Sequence, residues 1–194
     1  MTRMVISFDD LIALLVRGVE SPSFVGTYTR HDQHAPTTHW RVWRHGDLAR
    51  IENPPGETVL IAGATTYWRR ARGGEVESIE RSPGFADFEL SEFIWLEVEA
   101  YWRDWLEQDR DLVERTLRPV TVAGRPAWEF TAPEVKGAAP VVVVDADLGL
   151  VLAASRDDIG TFMSWSEIST DIPLADDLFE YSGEWPPRNN QEES

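Results

Sequence analysis

The chain has 194 residues, 42% of them hydrophobic and 27% charged, with nine tryptophans, which is the composition of a packed globule and not of a disordered chain. Its formal net charge of −16 repels polyphosphates and anionic lipid, which excludes a nucleic-acid binder, and no segment approaches the roughly 20 apolar residues of a membrane-spanning helix. The absence of cysteine removes disulfides, thiolate zinc sites, a cysteine nucleophile and a lipid-modified cysteine anchor.

Ser7 reads as the N-cap of an amphipathic helix, with Asp10 three residues on and Leu11, Leu14, Leu15 and Val19 at helical spacing. Gly18 and Ser21-Pro22 stop it. Its apolar run, Leu11 to Val16, follows Asp9 and Asp10 and lacks the basic flank and small-residue cleavage site of a signal peptide. That points to a cytoplasmic protein, an exported form requiring a leader already removed.

From Phe24 the period becomes two, and strands are expected over Phe24 to His31, Thr38 to Arg44, Leu48 to Glu52, Thr58 to Ala62, Thr65 to Arg70 and Glu75 to Glu80. Turn formers separate them: His45-Gly46-Asp47, Asn53-Pro54-Pro55-Gly56, Gly63-Ala64 and Arg72-Gly73-Gly74. Short turns imply antiparallel neighbours. A helical stripe of Ile94, Val98, Tyr101, Trp102 and Trp105 then predicts a middle helix from Ser91 to Gln108. A second set of strands follows, over Leu112 to Val122, Ala127 to Ala132, Val141 to Asp145, Val151 to Ser155 and Thr161 to Ser169, with Val141 to Val144 reading as buried on both faces. The class is α+β, a large antiparallel sheet that bends and is interrupted by one helix. No repeat or composition break marks a second domain, so residues 1–185 read as one domain and 186–194 as a disordered tail.

Chemistry-bearing patterns are scarce. His31, His34, His39 and His45 cluster, but His31-x-x-His34 with Asp32 lies on a strand end and a Pro-containing loop, where no scaffold fixes a coordination geometry, and it reads as a solvated loop. Acid pairs such as Asp157-Asp158 and Asp176-Asp177 are expected at the surface of a chain with 34 acids. There is no Gly-x-Ser-x-Gly elbow, Walker loop, Rossmann glycine pattern or His-Glu-x-x-His helix, and no catalytic residue, metal ligand or cofactor is assigned. The tryptophans carry more information. Trp40 alternates with Val42 and Trp128 with Phe130 on buried strand faces, whereas Trp43 shares its face with His39 and Arg41. Core packing accounts for any one of them, but their number suits an aromatic-lined apolar site. The candidate ligand-binding residues are Trp40, Trp68, Trp95, Tyr101, Trp102, Trp128, Phe130 and Trp165.

The order of elements resembles the periplasmic lipoprotein carriers of the LolA type and their relatives, the mycobacterial lipid-carrier lipoproteins and the sigma-factor regulator RseB. The likeness runs through Ser23-Phe24-Val25-Gly26-Thr27-Tyr28-Thr29, Trp40-Arg41-Val42-Trp43, Ala49-Arg50-Ile51-Glu52 and Thr58 to Trp68. It continues in Val120 to Phe130, Val143-Val144-Asp145 with Leu148 to Leu152, and Ile172-Pro173-Leu174 with Leu178-Phe179. It implies an open half-barrel whose concave face is covered by helices, with acyl chains received between them and the middle helix forming part of the lid. A cytoplasmic, divergent member is expected.

Three readings follow: a non-enzymatic scaffold for an apolar small molecule or acyl chain; an acidic protein-interaction or regulatory module with a basic protein partner; and an enzyme using Tyr28, His39, Arg41 and Glu52 at a barrel mouth. The sequence does not announce an oligomeric state.

Overall fold

The structure is a computed structural model, and it describes residues 6–17, 23–31, 33–46, 48–54, 56–70, 74–80, 99–134 and 137–183. The first element, α1 (Phe8–Arg17), begins on a complete capping box. The Asp10 N–H donates to Ser7 Oγ at 3.1 Å, while the Asp10 carboxylate accepts from the Ser7 N–H at 3.0 Å and from its hydroxyl at 2.7 Å. Phe8, Leu11, Ile12, Leu14 and Leu15 are buried; of the stripe that the spacing predicts, Leu11, Leu14 and Leu15 are among them and Val19 lies outside the described residues.

Eleven strands follow among the described residues: β1 (Phe24–Arg30), β2 (Thr38–His45), β3 (Leu48–Glu52), β4 (Thr58–Ala62), β5 (Thr66–Arg70), β6 (Val76–Glu80), β7 (Arg118–Val122), β8 (Arg125–Thr131), β9 (Val141–Asp145), β10 (Val151–Arg156) and β11 (Gly160–Thr170). They form one antiparallel sheet in the order β6-β5-β4-β3-β2-β1-β11-β10-β9-β8-β7. Two meanders, each dictated by short turns, are thus joined at the centre by β1 against β11, a pairing that brings together the first strand and the last. Gly46, Gly56, Gly124 and Gly160 take positive φ in the connections, as the turns require. The ends of the sheet stay apart, so it is open.

The register sorts the side chains onto two faces. On one lie Phe24, Tyr28, Val42, Ile51, Leu60, Tyr67, Trp128, Phe130 and Met163, which join α1 in one contiguous buried cluster. This is the helix face. Helices α2 (Glu99–Leu106) and α3 (Arg110–Thr116), linked by a 3-10 turn over Glu107–Asp109, complete the cover through Leu106 and Val113, both fully buried. The outer face carries His39, Arg41, Trp43, Arg50, Glu52 and Trp68. The C-terminal segment crosses it, with a 3-10 helix at Asp176–Phe179 that buries Phe179. The Leu178 carbonyl there accepts from Arg50 at 3.5 Å, and Tyr181 stacks 6.1 Å from Trp68.

The middle region departs from the expected elements. The expected helix from Ser91 begins outside the described residues, and the α-helix ends at Leu106 instead of Gln108. Of the expected strand from Leu112 to Val122, Leu112–Thr116 instead belongs to α3, while Arg118–Val122 is β7. Asp109 caps that helix by accepting from the Leu112 N–H at 3.3 Å, and Arg110 donates to Glu114 one turn on at 2.8 Å. Extended backbone begins at Leu117, and Pro119 holds Arg118 out of the helical region so that the helix cannot resume. The expected tail, 186–194, lies outside the described residues. Among the described residues no helix is long and apolar enough to cross a membrane.

Candidate functional site

The centre of the helix face is an aromatic run. Tyr28 lies opposite both Trp40 on β2 and Trp165 on β11, so three rings meet across three adjacent strands. Ring centroids are 5.8 Å apart for Tyr28 and Trp40 and 5.3 Å for Tyr28 and Trp165, and Phe24 meets Trp165 edge-on at 5.5 Å. Gly26 makes this possible: a Cβ there would stand 3.1 Å from Trp165 Cε3 and 3.3 Å from Ile168 Cγ1. Phe24, Tyr28 and Trp165 are buried, and Trp40 is half-buried, so the run has one accessible end.

Of the eight candidate residues, Trp40, Trp128, Phe130 and Trp165 share the helix face. Trp68 is on the other side, opposite Ile61 and beside Gly63, where it supports the C-terminal segment. Tyr101 and Trp102 belong to α2, and Trp95 lies outside the described residues. The four residues proposed for an enzyme do not converge: Tyr28 faces the helices, and His39, Arg41 and Glu52 face outward. Three histidines meet three different hydroxyls, His31 with Thr37 at 3.4 Å, His39 with Thr29 at 3.0 Å and His45 with Ser23 at 2.5 Å.

A second feature has no counterpart in the expected residues. The ladder between β10 and β11 stops at Ser164, while β11 continues along β1 to Thr170. Beside this overhang a pocket of about 130 Å³ opens between Trp165–Ile168, Leu152 and the β7–β8 turn at Val122 and Ala123. In a flat sheet four ladder steps of about 4.8 Å would hold β7 about 19 Å from β11. Their meeting around one pocket shows that the sheet curls, as a half-barrel does.

Two of the three non-glycine residues with positive φ among the described residues line this pocket. Ala123, at φ 51°, and Gly124, at φ 79°, form the tight turn, whose type I′ pattern favours Asn, Asp or Gly where Ala123 stands. Glu167, at φ 53°, is the extra residue of a bulge, since Thr27 pairs with Ser166 and Val25 with Ser169. The bulge sets Ile168 against Gly26 and turns Glu167 to the outer face, where its carboxylate accepts from Thr27 Oγ1 at 2.9 Å and meets Arg41 at 3.4 Å. The sequence holds a trace of it: apolar parity runs odd through Met163 and Trp165 and then shifts to even at Ile168.

At the pocket's far wall Arg125 binds Asp145, which is fully buried and whose other oxygen accepts from the Asp147 and Leu148 N–H groups at 2.9 Å each. Hydrogen bonding to Asp145 raises the Arg125 guanidinium above its usual value. This pair fixes the wall, while Glu167, 74% of its side chain accessible, lies on the outer face beside Arg41.

No family model matches the chain, and no curated protein matches it in sequence. Solved structures do match in shape. MucB is 18% identical with a TM-score of 0.50, over 91% of this chain and 63% of MucB. An uncharacterized conserved protein from Thermus thermophilus is 11% identical with a TM-score of 0.54, over 91% and 95% of the two chains. The fold is LolA/RseB-like. MucB has also been solved with MucA, and the MucB of the Pseudomonas aeruginosa MucA/MucB complex is 18% identical over 90% of this chain, with a TM-score of 0.50. This chain spans about 63% of MucB's length, and at this identity the likeness is one of fold.

Proposed function

We propose that this chain is a non-enzymatic binding scaffold of the carrier type, seating an apolar or acylated ligand between the helix face of the sheet and its helices. The observation that carries the reading is the aromatic run Trp40–Tyr28–Trp165–Phe24, continuous across the central strands and accessible at Trp40. Trp128 and Phe130 extend the proposed seat, with Trp95, Tyr101 and Trp102 assigned to it on sequence alone. The pocket of about 130 Å³ beside Trp165 is smaller than the roughly 300–1,000 Å³ of ordinary ligand sites, so by itself it would hold only part of such a ligand. Thermal unfolding with palmitate and with lysophosphatidylcholine tests this. Saturation at 100 times Kd is expected to add about 2.7 kcal/mol of stability. Unchanged midpoints with both, together with no compound extracted by organic solvent from protein purified from its native host, would sink it.

A second reading, a protein-interaction module with a basic partner, is favoured by the net charge of −16 and by the protein complex that MucB forms with MucA. Binding of such a partner weakens as salt rises. Capture that persists unchanged from low to high salt would count against it.

A further inference from the structure

We propose that the outer face of the sheet carries a docking groove for an acidic segment of a partner polypeptide anchored by an aromatic side chain, and that the chain's own residues 175–181 fill this groove as a tethered competitor. The proposal is independent of the apolar seat and of the basic partner considered above.

The floor of the groove follows from the register. Arg50 on β3, Ile61 on β4 and Trp68 on β5 stand opposite one another across three strands, and Ile61, in the middle of the row, is buried. Arg50 is held in place by its own neighbours: its Nε donates to Glu52 at 2.8 Å and one Nη to the buried Thr58 hydroxyl at 2.6 Å, which leaves the other Nη to reach the Leu178 carbonyl at 3.5 Å. Gly63 deepens the floor, because a Cβ there would stand 2.7 Å from Trp68 Cζ3 and 3.1 Å from the Phe179 carbonyl oxygen. Phe179 is the anchor, 2% exposed, and Tyr181 ends the row with its ring centroid 6.1 Å from that of Trp68. A buried aromatic, a main-chain carbonyl read by an arginine and a stacked ring are the contacts by which a short peptide is recognised.

The strap that fills the groove states the chemistry of the occupant. Asp176, Asp177 and Glu180 bracket Leu178 and Phe179 and are exposed, and in a chain of net charge −16 they cross the face that carries Arg41 and Arg50. The strap is not one of the eleven strands. The bonds of its 3-10 turn run from the Leu178 N–H to the Ala175 carbonyl at 3.1 Å and from the Glu180 N–H to the Asp177 carbonyl at 3.2 Å, within the turn itself. A segment held mainly by side chains opens at lower cost than a strand held by a ladder. Its pivot is Asp171, at φ 57°, whose N–H donates to the Ser23 carbonyl at 3.1 Å and fixes where the chain leaves β11. Tethered there, the strap competes at an effective concentration in roughly the millimolar range, so the groove takes a partner segment in proportion to the fraction of chains whose strap is released.

The test uses the full chain and the strap's own sequence as a peptide, Ac-Ala-Asp-Asp-Leu-Phe-Glu-Tyr-NH2, with analogues carrying Ala for Phe or Lys for the three acids. Binding is followed by the Trp68 indole resonance, assigned with Trp68→Phe. Phe179→Ala removes the strap's anchor and is expected to bind the peptide at least about tenfold more tightly than the unaltered chain, with the Trp68 signal shifted. Tyr181→Ala leaves the buried ring in place and is expected to move affinity the same way by a smaller factor. Both analogue peptides are expected to bind Phe179→Ala at least about tenfold more weakly than the parent peptide. Unchanged affinity in Phe179→Ala, or in Tyr181→Ala should Phe179→Ala not fold, would overturn the proposal, and so would equal binding of the parent peptide and either analogue. A peptide that shifts the Trp40 indole in place of Trp68 occupies the apolar seat, which would overturn this groove while leaving that seat standing.

Discussion

At the scale of single residues, small changes at crowded positions have large expected effects. Gly26→Ala places a methyl 3.1 Å from Trp165 Cε3 and 3.3 Å from Ile168 Cγ1, against a ring already packed on Phe24 and Tyr28, and overpacking of this kind costs about 1–3 kcal/mol. The urea midpoint is expected to fall and the near-ultraviolet dichroism of the tryptophans to change. Ala123→Gly should act oppositely, relieving positive φ in a tight turn and adding about 1 kcal/mol. Asp145→Ala removes one member of a buried ion pair and strands Arg125; because that side chain is 23% accessible, the loss is expected near the lower end of the range, about 3 kcal/mol by urea unfolding. Legibility at this scale was uneven. The alternation of Trp40 with Val42 and of Trp128 with Phe130 identified the helix face correctly, since period two fixes a side chain's face once one neighbour is known. Trp68 shows the limit: its face depends on the register of β4 with β5, and composition does not specify which side the helices cover.

At the scale of elements, local chemistry predicted local structure where the signal was complete. Ser7 and Asp10 form the expected capping box, and hydrogen bonding to Ser7 holds the Asp10 carboxyl below its ordinary value of 3.8. A carboxyl depressed in the folded state contributes stability above its unfolded pKa and loses it as pH falls through the folded value, so this contribution disappears on acidification below about 3.8. Ser7→Ala is expected to cost about 1 kcal/mol at pH 7 and to flatten the acid limb of the stability curve. The middle region misled because its signals compete. Leu112, Val113 and Leu117 suit a strand, but Asp109 and the Arg110–Glu114 pair start and hold a helix, and Pro119 then ends it. Thr116 fastens the result, donating to the Leu112 carbonyl at 2.7 Å and accepting from the Thr131 N–H of β8 at 2.9 Å.

At the scale of the molecule, the meanders were legible and their union was not. Turn residues dictate which successive strands pair, whereas β1 against β11 joins residues about 140 positions apart, and only the collective burial of Phe24, Tyr28 and Trp165 selects it. The overhang that β11 leaves beyond β10 follows from that union and was equally out of reach. Charge is the property of the whole chain that the sequence states outright, and it makes opposite demands on folding and binding. A charge of −16 on a compact body repels itself, and screening shortens from about 30 Å at 0.01 M salt to about 10 Å at 0.1 M. Urea unfolding, which adds no ions, is therefore expected to show a midpoint that rises from 10 to about 500 mM NaCl, while affinity for a basic partner falls over the same range because attraction between opposite charges is screened too. A midpoint that instead falls would mean that ion pairs such as Arg118–Glu129 and Arg156–Asp158 outweigh the global repulsion. The two trends are measurable on one sample, and their opposite signs separate repulsion within the chain from attraction to a partner.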